Sequence, residues 1–131
     1  MCSSDLTLAY DCRRAGQFTD ELKDALKIVA KGDMTPAQMR GDWAGEIGQT
    51  QFMPSSWLKY AVDFDGDGKR DLIKSVPDVL ASTANFLKEN GWQRGLDWDP
   101  GKPNFPAIKA WNASDNYSRT VAEFASQLAG R

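Results

Sequence analysis

Apolar positions along this chain recur mainly with helical spacing. Phe18, Leu22, Ala25, Leu26 and Val29 fall at i, i+4, i+7, i+8 and i+11, one face of a helix. Thr19 stands where such a helix is capped, Asp20 and Glu21 suit its first turn, and Gly32 suits its stop. Thr35-Pro36 predicts a second, short helix, because proline at the first helical position sacrifices no hydrogen bond. Ser75-Val76-Pro77-Asp78 has the form of a capping box. The helix it opens is expected to turn Val76, Leu80, Thr83, Ala84 and Leu87 inward and to end near Gly91. A last helix places Tyr117, Val121, Phe124, Ala125 and Leu128 on one face and stops at Gly130. No period-two run reaches strand length. Gly95 to Pro106 holds two Gly and three Pro and predicts a loop. There is no internal repeat, low-complexity tract or linker. The pattern is that of a mainly α fold.

The N-terminal residues break this pattern. Met1 to Leu6, MCSSDL, has no basic segment followed by an apolar one, so it does not read as a secretion signal. Nor does it read as a helix start. The apolar run Leu6, Leu8, Ala9, Tyr10 begins abruptly, so residues 1–6 are taken as a non-native scar or a frayed tail.

Composition narrows the chemistry. With 131 residues the chain suits one domain with one core, since roughly 67% of the unfolded surface is buried at this size. An apolar share of 41% and a charged share of 26% exclude general disorder and collagen-like or coiled-coil sequence. No apolar run approaches the roughly 18 residues a membrane helix needs. Net charge is −2, which gives no electrostatic reason to expect nucleic acid. The chain has no histidine, which removes Ser-His-Asp and Cys-His catalysis and imidazole-based zinc sites. Its two cysteines, Cys2 and Cys12, make neither a four-cysteine zinc site nor a disulfide scaffold; a single bridge between them is open but not required. Carboxylate chemistry, oxygen-ligated metals and polar or aromatic ligand binding remain.

One loop points to a metal. Asp63-Phe64-Asp65-Gly66-Asp67-Gly68 sets carboxylates at alternate positions with a glycine behind them, the spacing that lets three oxygens converge on one cation. The Lys69 carbonyl occupies the position of a further ligand. An EF-hand loop ends on a bidentate Glu, where this chain has Lys74; Asp78, four residues on, is the candidate replacement. Hard oxygen donors in a flexible loop favour Ca²⁺, in a structural role. The rival reading is a solvated Asp/Gly turn. No organic cofactor is indicated.

A second segment points to a sugar polymer. Residues 41–57, GDWAGEIGQTQFMPSSW, combine glycines, which admit a ligand close to the backbone, with amides and hydroxyls that donate and accept. Trp43, Phe52 and Trp57 offer flat faces for sugar rings. Composition alone favours a packed turn over a ligand site.

These motifs together carry a resemblance. GDWAGEIGQTQFMPSSW, KYAVDFDGDGKRDL, SVPDVLASTANFLKENGW, WNASDNY and the upstream TLAYDCRRAGQF are similar, in order, to the B-type lytic murein transglycosylases, over residues 7–131. The resemblance implies a lysozyme-like transglycosylase domain with an EF-hand-like calcium loop. It implies a periplasmic or outer-membrane-associated protein that acts on peptidoglycan glycan strands, with no nucleic-acid partner, and a monomer. Membrane attachment would come only through a more N-terminal segment. Such enzymes cut between N-acetylmuramic acid and N-acetylglucosamine and leave a 1,6-anhydromuramoyl end. One glutamic acid serves as acid and then base, aided by the substrate's N-acetyl group, unlike the usual carboxylate pair.

That glutamate lies in an E-[ST]-x-x-G-like motif just before the segment matching Thr7 to Tyr10. MCSSDL does not match it, so the expectation is a C-terminal part of the catalytic domain, truncated at its N-terminus and without its acid. By residue, the resemblance assigns Arg13 and Arg14 to an arginine pair at the cleft, Gln49 and Gln51 to groove amides, and Ser55, beside Ser56, to orientation of the N-acetyl group. It assigns Asn112 and Tyr117 to polar groups of the same site, and Asp63, Asp65, Asp67, Lys69 and Asp78 to the calcium loop. Each assignment has a plainer rival: surface pairing of the arginines with Asp11 or Asp20, a helix cap at Ser55, a turn at Asn112, and the apolar helix face at Tyr117. Glu46 is the one glutamate within the groove motif; its flanking glycines suggest a rim residue rather than an acid. A non-catalytic, calcium-stabilised peptidoglycan-binding module is the alternative function.

Overall fold

The computed structural model describes residues 3–10, 14–42 and 44–130, with side chains from residue 7 onward. Cys2, Cys12, Arg13 and Trp43 therefore lie outside the described residues. The helices are α1 (Ser3–Tyr10), α2 (Ala15–Lys31), α3 (Pro54–Tyr60), α4 (Val76–Glu89), α5 (Phe105–Trp111) and α6 (Asp115–Leu128). Among the described residues the only β pairing is an isolated antiparallel bridge between Ile47 and Phe52. The mainly α expectation holds. The chain divides into two compact units, Met1–Thr83 and Ala84–Arg131, with the division inside α4.

In the first unit α2 packs against α1 and α3. α1 begins at Ser3, inside the segment where no helix start was expected. α2 begins at Ala15, four residues before Thr19, so Thr19 is not its cap. Its buried residues are Phe18, Glu21, Ala25 and Ile28, while Leu26 is 49% exposed. The inward face is thus rotated from the one the apolar spacing suggested. Glu21 can lie inward because α3 supplies hydrogen-bond donors to it. Gly32, at φ 83°, ends α2 as expected and gives its N–H to the Val29 carbonyl.

Thr35-Pro36 opens a single turn, not a helix. The Gln38 and Met39 N–H groups reach Thr35 O, but the Arg40 N–H turns back to Gln38 O. Thr35 N–H and Oγ1–H both donate to Gln38 Oε1, which closes the turn locally. Buried Met34 and Met39 pin its two ends, so the chain cannot wind further.

Ser75 caps α4 as expected, its Oγ accepting from Asp78 N–H at 3.4 Å. The α4 face is not the expected one. Asp78, Val79, Ser82 and Phe86 are buried, whereas Val76 and Leu80 are 52% and 64% exposed. The polar members of the buried set are satisfied by the preceding loop: Ser82 Oγ accepts from Val62 N–H at 2.9 Å.

In the second unit, Phe105, Ile108 and Ala122 form the core with Trp92 and Trp98 against them. The Gly95–Pro106 segment is an ordered loop fastened by Asn104, which is fully buried. Asn104 Oδ1 accepts from Gln93 N–H at 2.7 Å, and its Nδ2 donates to Gln93 O and Leu96 O at 2.9 and 2.7 Å. The Trp92 and Trp98 rings stack at 6.1 Å and 19°. α5, which the pattern did not show, is seven residues long and packs on α6. α6 is inverted relative to expectation. It buries Ser118, Ala122 and Ser126, and Phe124 and Leu128 are 60% and 74% exposed. Close packing on α5 calls for small side chains. The two serines find partners nearby: Ser118 Oγ donates to Asn112 O, at the end of α5, at 3.0 Å, and Ser126 Oγ to Asp99 Oδ1 of the Gly95–Pro106 loop at 3.2 Å.

Candidate functional site

The acidic loop brings Asp63, Asp65 and Asp67 together as the spacing predicts. One carboxylate oxygen from each lies within 4.8 Å of the others. Gly66 and Gly68, at φ 77° and 87°, make the backbone turns that permit this. The loop's own amides hold the carboxylates in place. Asp63 accepts from Gly66 and Gly68 N–H at 2.7 and 2.9 Å, and Asp67 from Lys69 N–H at 2.8 Å. Asp65 accepts from Ser75 Oγ–H at 2.6 Å. Three hard, convergent oxygen donors with backbone support are a donor set suited to Ca²⁺.

Asp78 plays a different observed part. It is fully buried, and its carboxylate accepts from Phe64, Asp65 and Asp71 N–H at 2.8, 3.3 and 2.9 Å. Burial pushes its carboxyl upward, but the amides of Phe64, Asp71 and Asp65 and the Ser75 hydroxyl outweigh this and hold it below the usual range. Asp78 fastens both ends of the loop to α4 and stands outside the converging trio. Lys69 contributes its N–H within the loop.

The glycine-rich segment is attached to the end of this loop. Gln49 N–H donates to Leu72 O at 3.0 Å, and Gln49 Nε2 donates to Ile73 O at 2.9 Å. Gly48, at φ 82°, lets the two backbones touch: a Cβ there would stand 2.6 Å from Leu72 O. The Ile47–Phe52 bridge closes the turn between them, with Gln51 at φ 56°. Gln51 Nε2 donates to Asp42 Oδ2 at 3.0 Å. Phe52 and Trp57 are buried in the core, so neither presents a face to a ligand. That corrects the expectation of aromatic platforms at these two positions.

Ser55 is the second residue of α3, after Met53 as cap and Pro54 at the first position. It does not cap its own helix. Its N–H and Oγ–H reach across to Glu21 Oε2 and Oε1 of α2 at 2.9 and 2.7 Å. Ser56 beside it is partly buried. Arg14 precedes α2, with its guanidinium 5.8 Å from the Phe18 ring centroid. Glu46 is partly buried, and its carbonyl accepts from Asp42 N–H at 2.8 Å. Asn112 and Tyr117 belong to the second unit. Asn112 ends α5 and accepts from Ser114 N–H at 2.9 Å, while the Tyr117 side is 42% exposed. Cavities of about 280 and 310 Å³ adjoin Asp33, Met34, Gln38 and Asp71, and neither includes a residue of the 41–57 segment.

Two polar residues of this region were given no site role from sequence, Glu21 and Asp42; Glu21 was read as a first-turn residue, but α2 begins at Ala15 and its first turn holds no acid. Glu21 carried a usable signal. It stands three residues after Phe18 and four before Ala25, a carboxylate on a buried helical stripe.

A family model for the transglycosylase SLT domain matches residues 1–101. The chain belongs to the transglycosylase SLT domain family. It is 43% identical over 90 residues to membrane-bound lytic murein transglycosylase B of Escherichia coli strain K12, covering 68% of this chain and 25% of that protein. Its fold is similar to SltB3 of Pseudomonas aeruginosa in complex with NAG-anhNAM-pentapeptide: TM-score 0.91, 33% identity, 97% of this chain and 50% of that one. It is also similar to the Escherichia coli lytic transglycosylase Slt35 in complex with calcium: TM-score 0.80, 25% identity, 98% of this chain and 59% of that one. The chain thus spans a quarter to about three fifths of these relatives.

Proposed function

We propose that this transglycosylase SLT domain binds peptidoglycan glycan strands and serves an enzyme that cleaves them between N-acetylmuramic acid and N-acetylglucosamine, leaving 1,6-anhydromuramoyl ends. The observation that carries the reading is its likeness, at TM-score 0.91, to a protein seen with NAG-anhNAM-pentapeptide. Arg13, Arg14, Gln49, Gln51, Ser55, Ser56, Asn112 and Tyr117 are the proposed binding residues. The Ile47–Phe52 bridge and the hydrogen bonds of Gln51 to Asp42 and of Ser55 to Glu21 support the part given to Gln51 and Ser55, since groups already held in place lower the cost of ordering on binding.

The calcium loop is proposed to act structurally. Asp63, Asp65 and Asp67, with the Lys69 carbonyl, would hold the ion, and Asp78 would join them or brace the loop. A bound Ca²⁺ would supply two positive charges that offset most of the repulsion among the three neighbouring carboxylates. The tie from Leu72 and Ile73 to Gln49 then carries that order to the glycan loop.

Cleavage needs an acid for the leaving oxygen. Among Glu21, Glu46, Glu89 and Glu123 none is followed by Ser or Thr, so none fits the family's glutamate motif. Glu21 is engaged with Ser55. The 131-residue chain by itself is therefore proposed to bind and not to cut, as a monomer, in a periplasmic or outer-membrane-associated setting. Chromatography of murein sacculi incubated with the chain checks this. The expected outcome is no anhydromuropeptide alongside measurable binding of soluble murein fragments. Anhydro product from the chain alone, lost in Glu46→Gln, would instead identify Glu46 as the acid.

A further inference from the structure

The cavity of about 280 Å³ belongs wholly to the first unit, lined by residues from 33–40 and from 71–74, and the proposed activity leaves it without a task. Met34, Ala37 and Ile73 give it a carbon wall. Two acids border it, and each is engaged elsewhere: Asp33 pairs with Arg70, and Asp71 accepts from Ile73 and Lys74 N–H, both at 2.9 Å. The donors on its wall are not engaged. Gln38 Oε1 accepts from Thr35 N–H and Oγ1–H, both at 2.9 Å, which fixes the oxygen end of the amide and leaves Nε2 on the other side. Among the described residues neither Gln38 Nε2 nor the exposed Arg40 guanidinium nor the exposed Lys74 ammonium has a partner. Lys74 stands where an EF-hand loop would end on a glutamate. A carbon wall whose free polar groups are all donors, two of them charged, suits an anion on a carbon stem.

We propose that this cavity is a subsite for a carboxylate on a short aliphatic stem, as the peptides of peptidoglycan carry, with Gln38 Nε2, Arg40 and Lys74 as its donors. That the carboxylate belongs to a peptide rests on the peptidoglycan reading; that the cavity takes a carboxylate does not. An arginine fork matches the two oxygens of a carboxylate, and the lysine adds a point charge. Both walls are held before any ligand arrives. Buried Met34 and Met39 anchor the first. In the second, Asp71 N–H donates to Asp78 at 2.9 Å, and the Leu72 and Ile73 carbonyls accept from Gln49. Binding then orders little beyond two exposed side chains.

NMR titrations with acetyl-alanyl-glutamate and its uncharged counterpart, acetyl-alanyl-glutamine amide, test this. The unaltered chain is expected to bind the acid about tenfold more tightly, with shifts at the Gln38 side-chain amide and at Ile73, and to lose affinity as salt is added. Arg40→Gln and Lys74→Gln are each expected to weaken the acid about threefold to tenfold and to leave the neutral peptide unchanged. Gln38→Glu keeps the acceptor that Thr35 uses and turns the free donor into a charged acceptor, so it should abolish the preference. Equal affinity for the two peptides overturns the inference, as does an acid affinity untouched by replacing Arg40 and Lys74 together. Inorganic phosphate bound as tightly as the acid overturns it in favour of an unselective cationic surface. Peptide-free glycan strands, titrated in parallel, should bind the Arg40 and Lys74 variants as they bind the unaltered chain; weaker glycan binding in those variants overturns a separate subsite. Acid bound without any glycan binding upholds the carboxylate subsite and removes the glycan reading alone.

Discussion

Gly48 shows how one residue joins the two candidate sites. Its φ of 82° and the 2.6 Å approach of a would-be Cβ to Leu72 O leave no room for a side chain. Gly48→Ala is expected to destabilise the first unit by about 1–3 kcal/mol through left-handed strain and backbone displacement. Thermal melts check this, and an unchanged midpoint would contradict the close approach. A second single-residue expectation concerns charge. Hydrogen bonds from Lys109 at 2.6 Å and Arg119 at 3.3 Å, the lysine's being the larger influence, hold the Asp115 carboxyl below its usual range. A folded-state value depressed in this way favours folding above the unfolded carboxylate value of about 4, and that support fades as pH falls through the lower folded value. NMR titration of Asp115 should show a low midpoint that rises in Lys109→Ala. Because the pair is exposed, added salt should also raise it.

At the scale of elements, periodicity located α2, α4 and α6, while neighbours chose which side of each faces inward. α6 is the clearest case. Its apolar stripe, Tyr117, Val121, Phe124 and Leu128, is exposed, and its small residues meet α5. Ala122→Leu is therefore expected to cost about 1–3 kcal/mol by overpacking. Phe124→Ser should stay within about 0.5 kcal/mol, as surface substitutions do. Denaturant unfolding of the two variants distinguishes them, and the reverse ranking would restore the face read from sequence. α5 escaped that reading because seven residues with a proline at the start hold too few turns to show a period. The Thr35–Gln38 turn was over-read for the opposite reason: a good local start signal was cut short by buried methionines on either side.

At the scale of the whole molecule, the acidic loop and the glycine-rich loop form a chain of ties from Asp63 to Gln51 within the first unit. Calcium should therefore stabilise the fold as well as the loop. At a hundredfold excess over its dissociation constant the gain is about 2.7 kcal/mol. Melts with Ca²⁺ and with chelator should differ, and Asp65→Ala should remove the difference. Equal midpoints in the unaltered chain would show that the three carboxylates do not bind the ion. Hydrogen exchange at the Gln49 amide should slow when Ca²⁺ is added, because that amide is bonded to Leu72 O at the loop's end.

The sequence by itself determined the helical class, the stops at Gly32 and Gly91, the Ser75 cap and the convergence of Asp63, Asp65 and Asp67. Each of these is a local property, settled by residues within one or two turns. The same locality made the family motifs legible, since they are contiguous runs. Tertiary structure alone decided that Glu21 lies inward while Leu26 faces solvent, that Phe52 and Trp57 belong to the core, that Asp78 braces the loop through three amides, and that the chain forms two units. A buried carboxylate is stable only where donors from a distant segment meet it, here 34 residues away at Ser55. Which face of a helix is buried depends likewise on what packs against it, and no spacing within the helix carries that information.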